Sequence, residues 1–355
     1  MQLPVRGHPL HTRSLTLVVQ LLADGRWHAR GDVIDLRKVG FVPMLADIQP
    51  AGIIHQMRID LEIDPATTRI DSLCVDQPVV AIEPSQGTRG ECCRDPASRL
   101  QALAGERLDG AFARRLSGVF GGPLGCSHLL TLFQLMASGL QRAFVLESAL
   151  GEGAPAREVG DRLFRRAAFV EGFEAEDESI EMAVQLADFH SLPLAPGAPP
   201  TQRLAGQWDA RVFGRVAGPE RGLSGLRLAS RTRTRDTLTT AQWSDQSSRL
   251  APLEGAPIMP GLARRLFELL DAADDRLLLD ACLQLAPGFI QVMAAVMDRW
   301  LAQGKQEEPG NQPAPGATMA EGGNVGGMSD SCYMWRAGSP LESMRFTRQQ
   351  EEADE

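Results

Sequence analysis

The sequence predicts an α+β protein made of two tandem repeats. Each repeat is an antiparallel sheet with C-terminal helices, and the two pack about a pseudo-two-fold axis. Three observations carry this: the chain aligns with itself, each copy opens in period-two strands, and each closes in helical patterns. Sliding the chain by 153 residues brings Arg13 onto Arg166, Asp35 onto Asp188, Pro43 onto Pro196 and Arg58 onto Arg211. After a three-residue deletion the offset is 150, and 98–116 faces 248–266 with nine of nineteen positions identical. Only about one or two would match by chance at ordinary residue frequencies.

The elements follow in order. Leu15, Leu17, Val19 and Leu21 alternate with Ser14, Thr16 and Gln20, which is strand spacing. Ala23-Asp24-Gly25 is turn chemistry, and Arg26 to Leu36 returns as a second strand. His55, Met57, Ile59, Leu61 and Ile63 share one face of a third strand, and Asp64-Pro65 turns into a fourth through Val75. Helical patterns follow at 96–103 and 108–119, then a long one from Ser127 to about Glu147. Strands followed by helices argue for helices packed on an antiparallel sheet. Two subunit-like copies most simply pack as an isologous pair.

The boundaries follow from composition. The first repeat spans 1–150 and the second 159–303, joined through Gly151 to Glu158. Residues 304–328 are rich in Gly, Pro and Gln and read as a flexible linker. Residues 329–345 hold Cys332, Tyr333 (the only tyrosine), Met334 and Trp335, and are expected to dock back onto the body. The 346–355 end is expected to fray.

A formal charge of −9 disfavours nucleic acid or an anionic membrane as partner. Six cysteines without C-x-x-C spacing read as free thiols of a reducing compartment. The N-terminus lacks the apolar run of a secretory signal. The most apolar stretch, Leu129 to Leu140, is interrupted by Thr131 and Gln134 and is too short to span a bilayer. The expectation is a cytoplasmic monomer or homodimer.

A duplication supplies an internal control, because a site used in one copy can be missing from the other. His55 faces Trp208, Cys126 and His128 face Arg276 and Leu278, and His11 faces Phe164. The chemistry is therefore expected in the first copy. Gly122 to Leu130 (GPLGCSHLL) is its best local motif: Ser127 is placed to cap a helix and Cys126 to sit at the positive end of its dipole. Cys126, His128 and His55 suit a Cys/His nucleophile pair, three zinc ligands, or an acid–base pair. The bland alternative is a capped helix with a buried thiol and a hydrogen-bonded histidine.

Asp35-Leu36-Arg37-Lys38 ends the second strand, with Asp35 and Arg37 on one face and Lys38 on the other. Arg37 or Lys38 is a candidate anion holder; the bland reading is a strand-end salt bridge. Arg13 reads as a structural ion pair. P-loop, H-E-x-x-H, G-x-S-x-G and EF-hand motifs do not occur, and nothing predicts a nucleotide, flavin or pyridoxal cofactor.

His11-Thr12-Arg13, the Asp-Gly turn at 24–25, Asp35 with Arg37, Ile54-His55-Gln56-Met57 and Gly125-Cys126-Ser127-His128-Leu129 resemble a bacterial family, domain of unknown function 2889. The family pattern has Asp-x-Lys where this chain has Asp35-Leu36-Arg37, and Thr where it has Ser127. The resemblance covers residues 8–148 and, more weakly, the second copy. It implies a setting in bacterial aromatic catabolism and no particular activity.

The expected function is a cofactor-independent lyase, of retro-aldol or elimination type, acting on a small aromatic or phenylpropanoid-like compound. His55 and His128 would be acid and base, Asp35 would orient one of them, and Cys126 would line the site. Arg37, Lys38, Met57 and His11 would contact substrate, with Tyr333 and Trp335 as a lid. The alternatives are a metal-dependent hydrolase or lyase, with His55, His128 and Cys126 or Asp35 as ligands, and a non-catalytic binder of an aromatic ligand.

Overall fold

A strand that alternates apolar and polar residues buries one face only, and that periodicity organises the chain from its start. β1 (His8–Leu21) and β2 (Trp27–Arg37) form a hairpin in register Leu15 opposite Val33 and Val19 opposite Ala29. Gly25 makes its turn at φ +83°, a conformation that side chains with a Cβ avoid. A short hairpin, β3 (Val42–Met44) with β4 (Asp47–Gln49), precedes β5 (Gly52–Asp64) and β6 (Arg69–Val79). The second half adds β7 (Arg162–Glu174), β8 (Ile180–Ser191), β9 (Leu204–Ala217), β10 (Gly222–Arg233) and the two-residue β11 (Ser244–Asp245). The computed structural model describes residues 2–44, 47–151, 156–193, 197–218, 220–271, 273–297 and 329–343. The linker expected at 304–328 and the end expected to fray at 346–355 lie outside these residues.

Among the described residues the main sheet has nine strands, in the order β11-β10-β9-β8-β7-β1-β2-β5-β6. The two halves are thus one antiparallel sheet, joined where β1 pairs with β7 (Leu15 opposite Ala168, Leu17 opposite Arg166). One face carries the helices, and a single apolar core runs from Leu10 through Val296 beneath them. The fold is mixed α and β, with a large antiparallel sheet and several helices.

A 3₁₀ segment (Asp95–Leu103) leads to α1 (Phe112–Phe120) and then α2 (Ser127–Ser148), which crosses the sheet at the junction of the halves. Glycines let α2 approach: a Cβ on Gly31 would lie 2.2 Å from Met136 Sδ, and one on Gly139 would lie 2.7 Å from a Leu17 methyl. Trp27 stacks on Phe144 at 4.9 Å. In the second half α3 (Leu262–Leu269), α4 (Arg276–Cys282) and α5 (Leu285–Ala294) take that layer. Gly172 lets Val292 of α5 sit directly on β7.

The sequence expectation that no apolar stretch suffices to span a bilayer is corrected. Ser127–Ser148 and Arg276–Ala294 are long and apolar enough by length and composition. Their apolar side is used here against the sheet: Leu129, Leu132, Phe133, Leu140 and Leu279 are each fully buried.

Candidate active site

The site is built on the paired ends of β1, β2 and β5, under the N-terminus of α2. Alternation along β2 points Asp35 and Arg37 to the helix-covered face, where both are buried. Arg13 lies opposite Asp35 in register and grips its carboxylate with Nε on Oδ1 at 2.8 Å and a second nitrogen on Oδ2 at 3.0 Å. This forked geometry is the strong form of an arginine–carboxylate pair. Arg37 is not in this pair. It turns to Gln49, donating to its carbonyl and its side-chain oxygen, each at 3.0 Å.

β5 meets β2 through a bulge. Asp35 faces His55, but the next residue, Leu36, faces Ile53, so Ile54 is the extra residue. His55 Nδ1 comes within 3.3 Å of Asp35 Oδ2. His128, in the first turn of α2, brings Nε2 within 3.4 Å of the same oxygen. The two rings lie against each other, centroids 3.7 Å apart at 32°. A third histidine, His11, places Nε2 3.5 Å from Asp35 Oδ1 on the opposite side. One buried carboxylate therefore gathers an arginine and three imidazoles.

Burial by itself would raise the Asp35 carboxyl, but Arg13, the contact with His55 and the neighbouring His128 outweigh it and hold it well below the usual range. Asp35 is an anion. A carboxylate only accepts, so the approach to Asp35 favours a hydrogen on His55 Nδ1 and on His128 Nε2, although neither nitrogen meets hydrogen-bond geometry in this arrangement. His128 is pushed well below its ordinary value by burial, then by His55 and Arg13, and is a neutral base. His11 is lowered to about 4, again by burial first, against the attraction of Asp35.

Residues 11–141 match the family model described as Protein of unknown function (DUF2889). The matched segment begins at His11 and contains Arg13, Asp35, Arg37, His55, Cys126 and His128, the whole constellation. No curated protein and no solved structure matches the chain.

This constellation forms one wall of a cavity of about 230 Å³, lined by His55, His128, Arg37 and Cys126. The matched segment also contributes Gln49, Ile82, Cys93 and Pro96, and further walls come from outside it. The second half supplies Met259, Ile290, Met293 and Met297, and the C-terminal segment supplies Cys332, Tyr333, Met334 and Trp335. That segment is anchored by the Tyr333 amide on the Gly125 carbonyl at 2.8 Å and by Arg336 on Glu91 at 3.0 Å. Met334, Trp335 and Leu341 are buried in a small cluster with Ile82. The methionine wall and Gln49 were missed from the sequence. The methionines lie far along the chain from His55 and His128 and leave no local signal, and Gln49 is close to His55 in sequence but on a different strand.

Several residues named from the sequence sit elsewhere. Met57 is buried beneath the cavity, its sulfur 4.0 Å from Cys126 Sγ, and does not line it. His55 and Met57 keep the same face of β5, opposite Asp35 and Val33; the bulge precedes them and turns Ile54 inward beside His55. His11 lies behind Asp35, shielded from the cavity. Lys38, past the strand end, faces Glu171 of β7 at 4.0 Å with its side chain about one-third exposed. Ser127 makes no cap; Cys126 occupies that position without a side-chain hydrogen bond. The Cys126 thiol is raised to about 11 by burial, the reverse of the dipole expectation, and its sulfur lies 3.8 Å from His128 Nδ1.

The ligand atoms of Asp35, His55 and His128 all lie within 4.8 Å of one another, close enough to suggest a metal site. The ring packing argues otherwise. An imidazole bound at about 2.1 Å puts its ring centre about 3.2 Å from the ion, so two rings at right angles or wider sit about 4.5 Å apart or more. The observed rings are tilted at 32° with centroids 3.7 Å apart, and they would have to spread to chelate. Arg13 also occupies both oxygens of the carboxylate.

Proposed function

We propose that this protein is a cytoplasmic lyase that works by proton transfer with its own side chains, of retro-aldol or elimination type. Its substrate would be a small aromatic or phenylpropanoid-like compound, in the setting of bacterial aromatic catabolism that the family resemblance implies. The observation that carries the reading is that His55 and His128 both rest on the Asp35 carboxylate and both line the cavity.

In a retro-aldol step the acceptor nitrogen of one ring takes the proton of a substrate hydroxyl. The adjacent carbon–carbon bond then breaks, an aldehyde leaves, and the electron pair stays on the remaining carbon. The imidazolium returns its proton to that carbon. Asp35 holds the tautomer and stabilises the transient imidazolium, the role of the carboxylate in a catalytic triad. Arg37 is placed to receive an anionic group, and the methionine wall offers adaptable contacts to a flat ring. Tyr333 and Trp335 close the cavity from the C-terminal side.

The reading includes a duplication about a pseudo-two-fold axis through the β1–β7 pair. Support comes from Arg166, which grips Asp188 at 2.7 and 2.8 Å as Arg13 grips Asp35. Trp208 stands opposite Asp188 as His55 stands opposite Asp35. Arg142 lies over Trp208 at 4.5 Å and reaches Asp188 at 3.2 Å, filling the space that the second histidine takes in the first half. The second site is thereby closed.

The test is turnover of a panel of hydroxylated aromatic compounds, read as aldehyde release, with His55→Ala and His128→Ala beside the wild type. Loss of a general acid–base group should cost about 10²–10⁴-fold in rate. Unchanged turnover in both variants overturns the reading. One metal per chain by elemental analysis replaces it with a metal-dependent hydrolase or lyase, and tight binding without turnover replaces it with a binding protein.

A further inference from the structure

Sulfur is concentrated around the histidine cavity. Of the 25 described residues that line it, seven carry sulfur, whereas the whole chain has 12 Met and 6 Cys in 355 residues. Cys93, Met259, Met293, Met297, Cys332 and Met334 are spread over the walls, and Cys126 stands beside His128. Proton transfer by the histidines uses none of these sulfurs.

Three soft or borderline donors converge where the cavity meets the sheet. Cys126 Sγ lies 4.0 Å from Met57 Sδ and 3.8 Å from His128 Nδ1. β5 carries Met57, α2 carries His128 in its first turn, and Cys126 occupies the N-cap position of α2. All three residues are buried. Gln77 donates to the Met57 sulfur at 3.7 Å, which holds the thioether in place.

The spacing suits a metal ion. With metal–sulfur and metal–nitrogen bonds of about 2.3 and 2.1 Å, separations of 4.0 and 3.8 Å each subtend about 120° at a shared ion. That is a trigonal angle, wider than the tetrahedral angle of about 109° at structural zinc. A thiolate with a thioether selects Cu(I). His128 also places Nε2 3.4 Å from Asp35, and a metal-binding imidazole commonly directs its second nitrogen at a carboxylate. Unlike chelation by Asp35, His55 and His128, this set leaves the two rings where they are and Arg13 on its carboxylate.

We propose that Cys126 Sγ, His128 Nδ1 and Met57 Sδ bind one Cu(I) ion, which enters through the sulfur-lined cavity. The thiol gives its proton to solvent as the copper–sulfur bond forms, and no electron is transferred. The ion takes the Nδ1 lone pair that faces away from Asp35, so it blocks His128 as a base and is an inhibitor of the cavity, not its cofactor. The proposal goes beyond the lyase reading and does not need it, because its readout is binding of an added ion.

The experiment is anaerobic titration of the reduced full-length protein with Cu(I) held by bicinchoninate, read as loss of the coloured complex. One Cu(I) per chain should be withdrawn. Cys126→Ser and Met57→Leu, both close in volume to the wild type, should each raise Kd about ten-fold or more, since loss of even an outer partner of a metal ligand costs about 10–100-fold. Copper X-ray absorption should show two sulfurs and one nitrogen around the ion. Failure to withdraw copper overturns the proposal. So does equal affinity in wild type, Cys126→Ser and Met57→Leu, and so does an all-sulfur shell, which would place the ion on the cavity walls.

Discussion

Lowering the pH from 7 to 5 should weaken the folded protein, and His11 sets a measurable part of the loss. Its pKa is near 4 when folded, because burial disfavours the imidazolium, and returns to 6.5 when unfolded. A group whose folded pKa is depressed is protonated first in the unfolded chain. Unfolding therefore takes up a proton between about pH 6.5 and 4, and stability falls as the pH falls through that window. Between pH 7 and 5 the two titration curves differ by about 2 kcal/mol. His128 adds in the same direction, and so does Asp35 at still lower pH, since its depressed carboxyl is stabilising only while ionised. The assay is urea unfolding of wild type and His11→Asn at pH 7, 6 and 5. The variant should lose about 2 kcal/mol less than wild type over this range. Equal losses would refute the claim that a buried neutral His11 packs behind Asp35.

Four further outcomes follow from the same geometry. Asp35→Asn leaves the Arg13 guanidinium buried without its counter-charge and should cost about 3–5 kcal/mol in urea unfolding, together with any activity. Gly172→Ala places a Cβ 2.1 Å from a methyl of the stiff, β-branched Val292, and should cost about 1–3 kcal/mol by the same measurement. Cys126→Ser should keep turnover within a few-fold, and the wild-type Cys126 should resist alkylation at pH 7, because its thiol stays protonated. Trp335→Ala should release the C-terminal segment to limited proteolysis while the main unfolding transition barely moves, since Trp335 belongs to a small cluster apart from the main core.

Much of the framework was legible because it rests on short-range periodicity. Strand alternation marked β1, β2, β5 and β6, and the 3.6-residue pattern marked α2 to within a residue of its end. Arg13 was recognisable as structural, and the site's histidines as inward-facing. What stayed hidden depends on long-range placement or on competing energies. No local pattern shows that Asp35 is the centre of the cluster, because His55 and His128 reach it from β5 and α2. Strict alternation did place His55 and Met57 on one face, but Met57 sits one pair further along β5, beneath Cys126 and below the cavity. The helix dipole at Cys126 is worth about 0.3–1 kcal/mol, and full burial of a thiolate costs more, so the thiol moved up. The second half was read as lacking the site, which hid its role as the opposite wall through Met259, Met293 and Met297.

The cavity draws its lining from both halves of the chain. The segment that matches the family model carries the charged cluster and part of the wall, and α5 and the C-terminal segment add to the enclosure. Exclusion of water strengthens the Asp35 interactions that orient the imidazoles.

The most direct measurement is nitrogen-15 NMR of the histidine rings in the intact protein at pH 7, with His55→Gln and His128→Gln used to assign the signals. The account requires a neutral His128 with its hydrogen on Nε2 and a bare Nδ1, and a His55 whose Nδ1 hydrogen faces Asp35. A protonated His128, or a His128 with its hydrogen on Nδ1, would contradict the proton-transfer site described here.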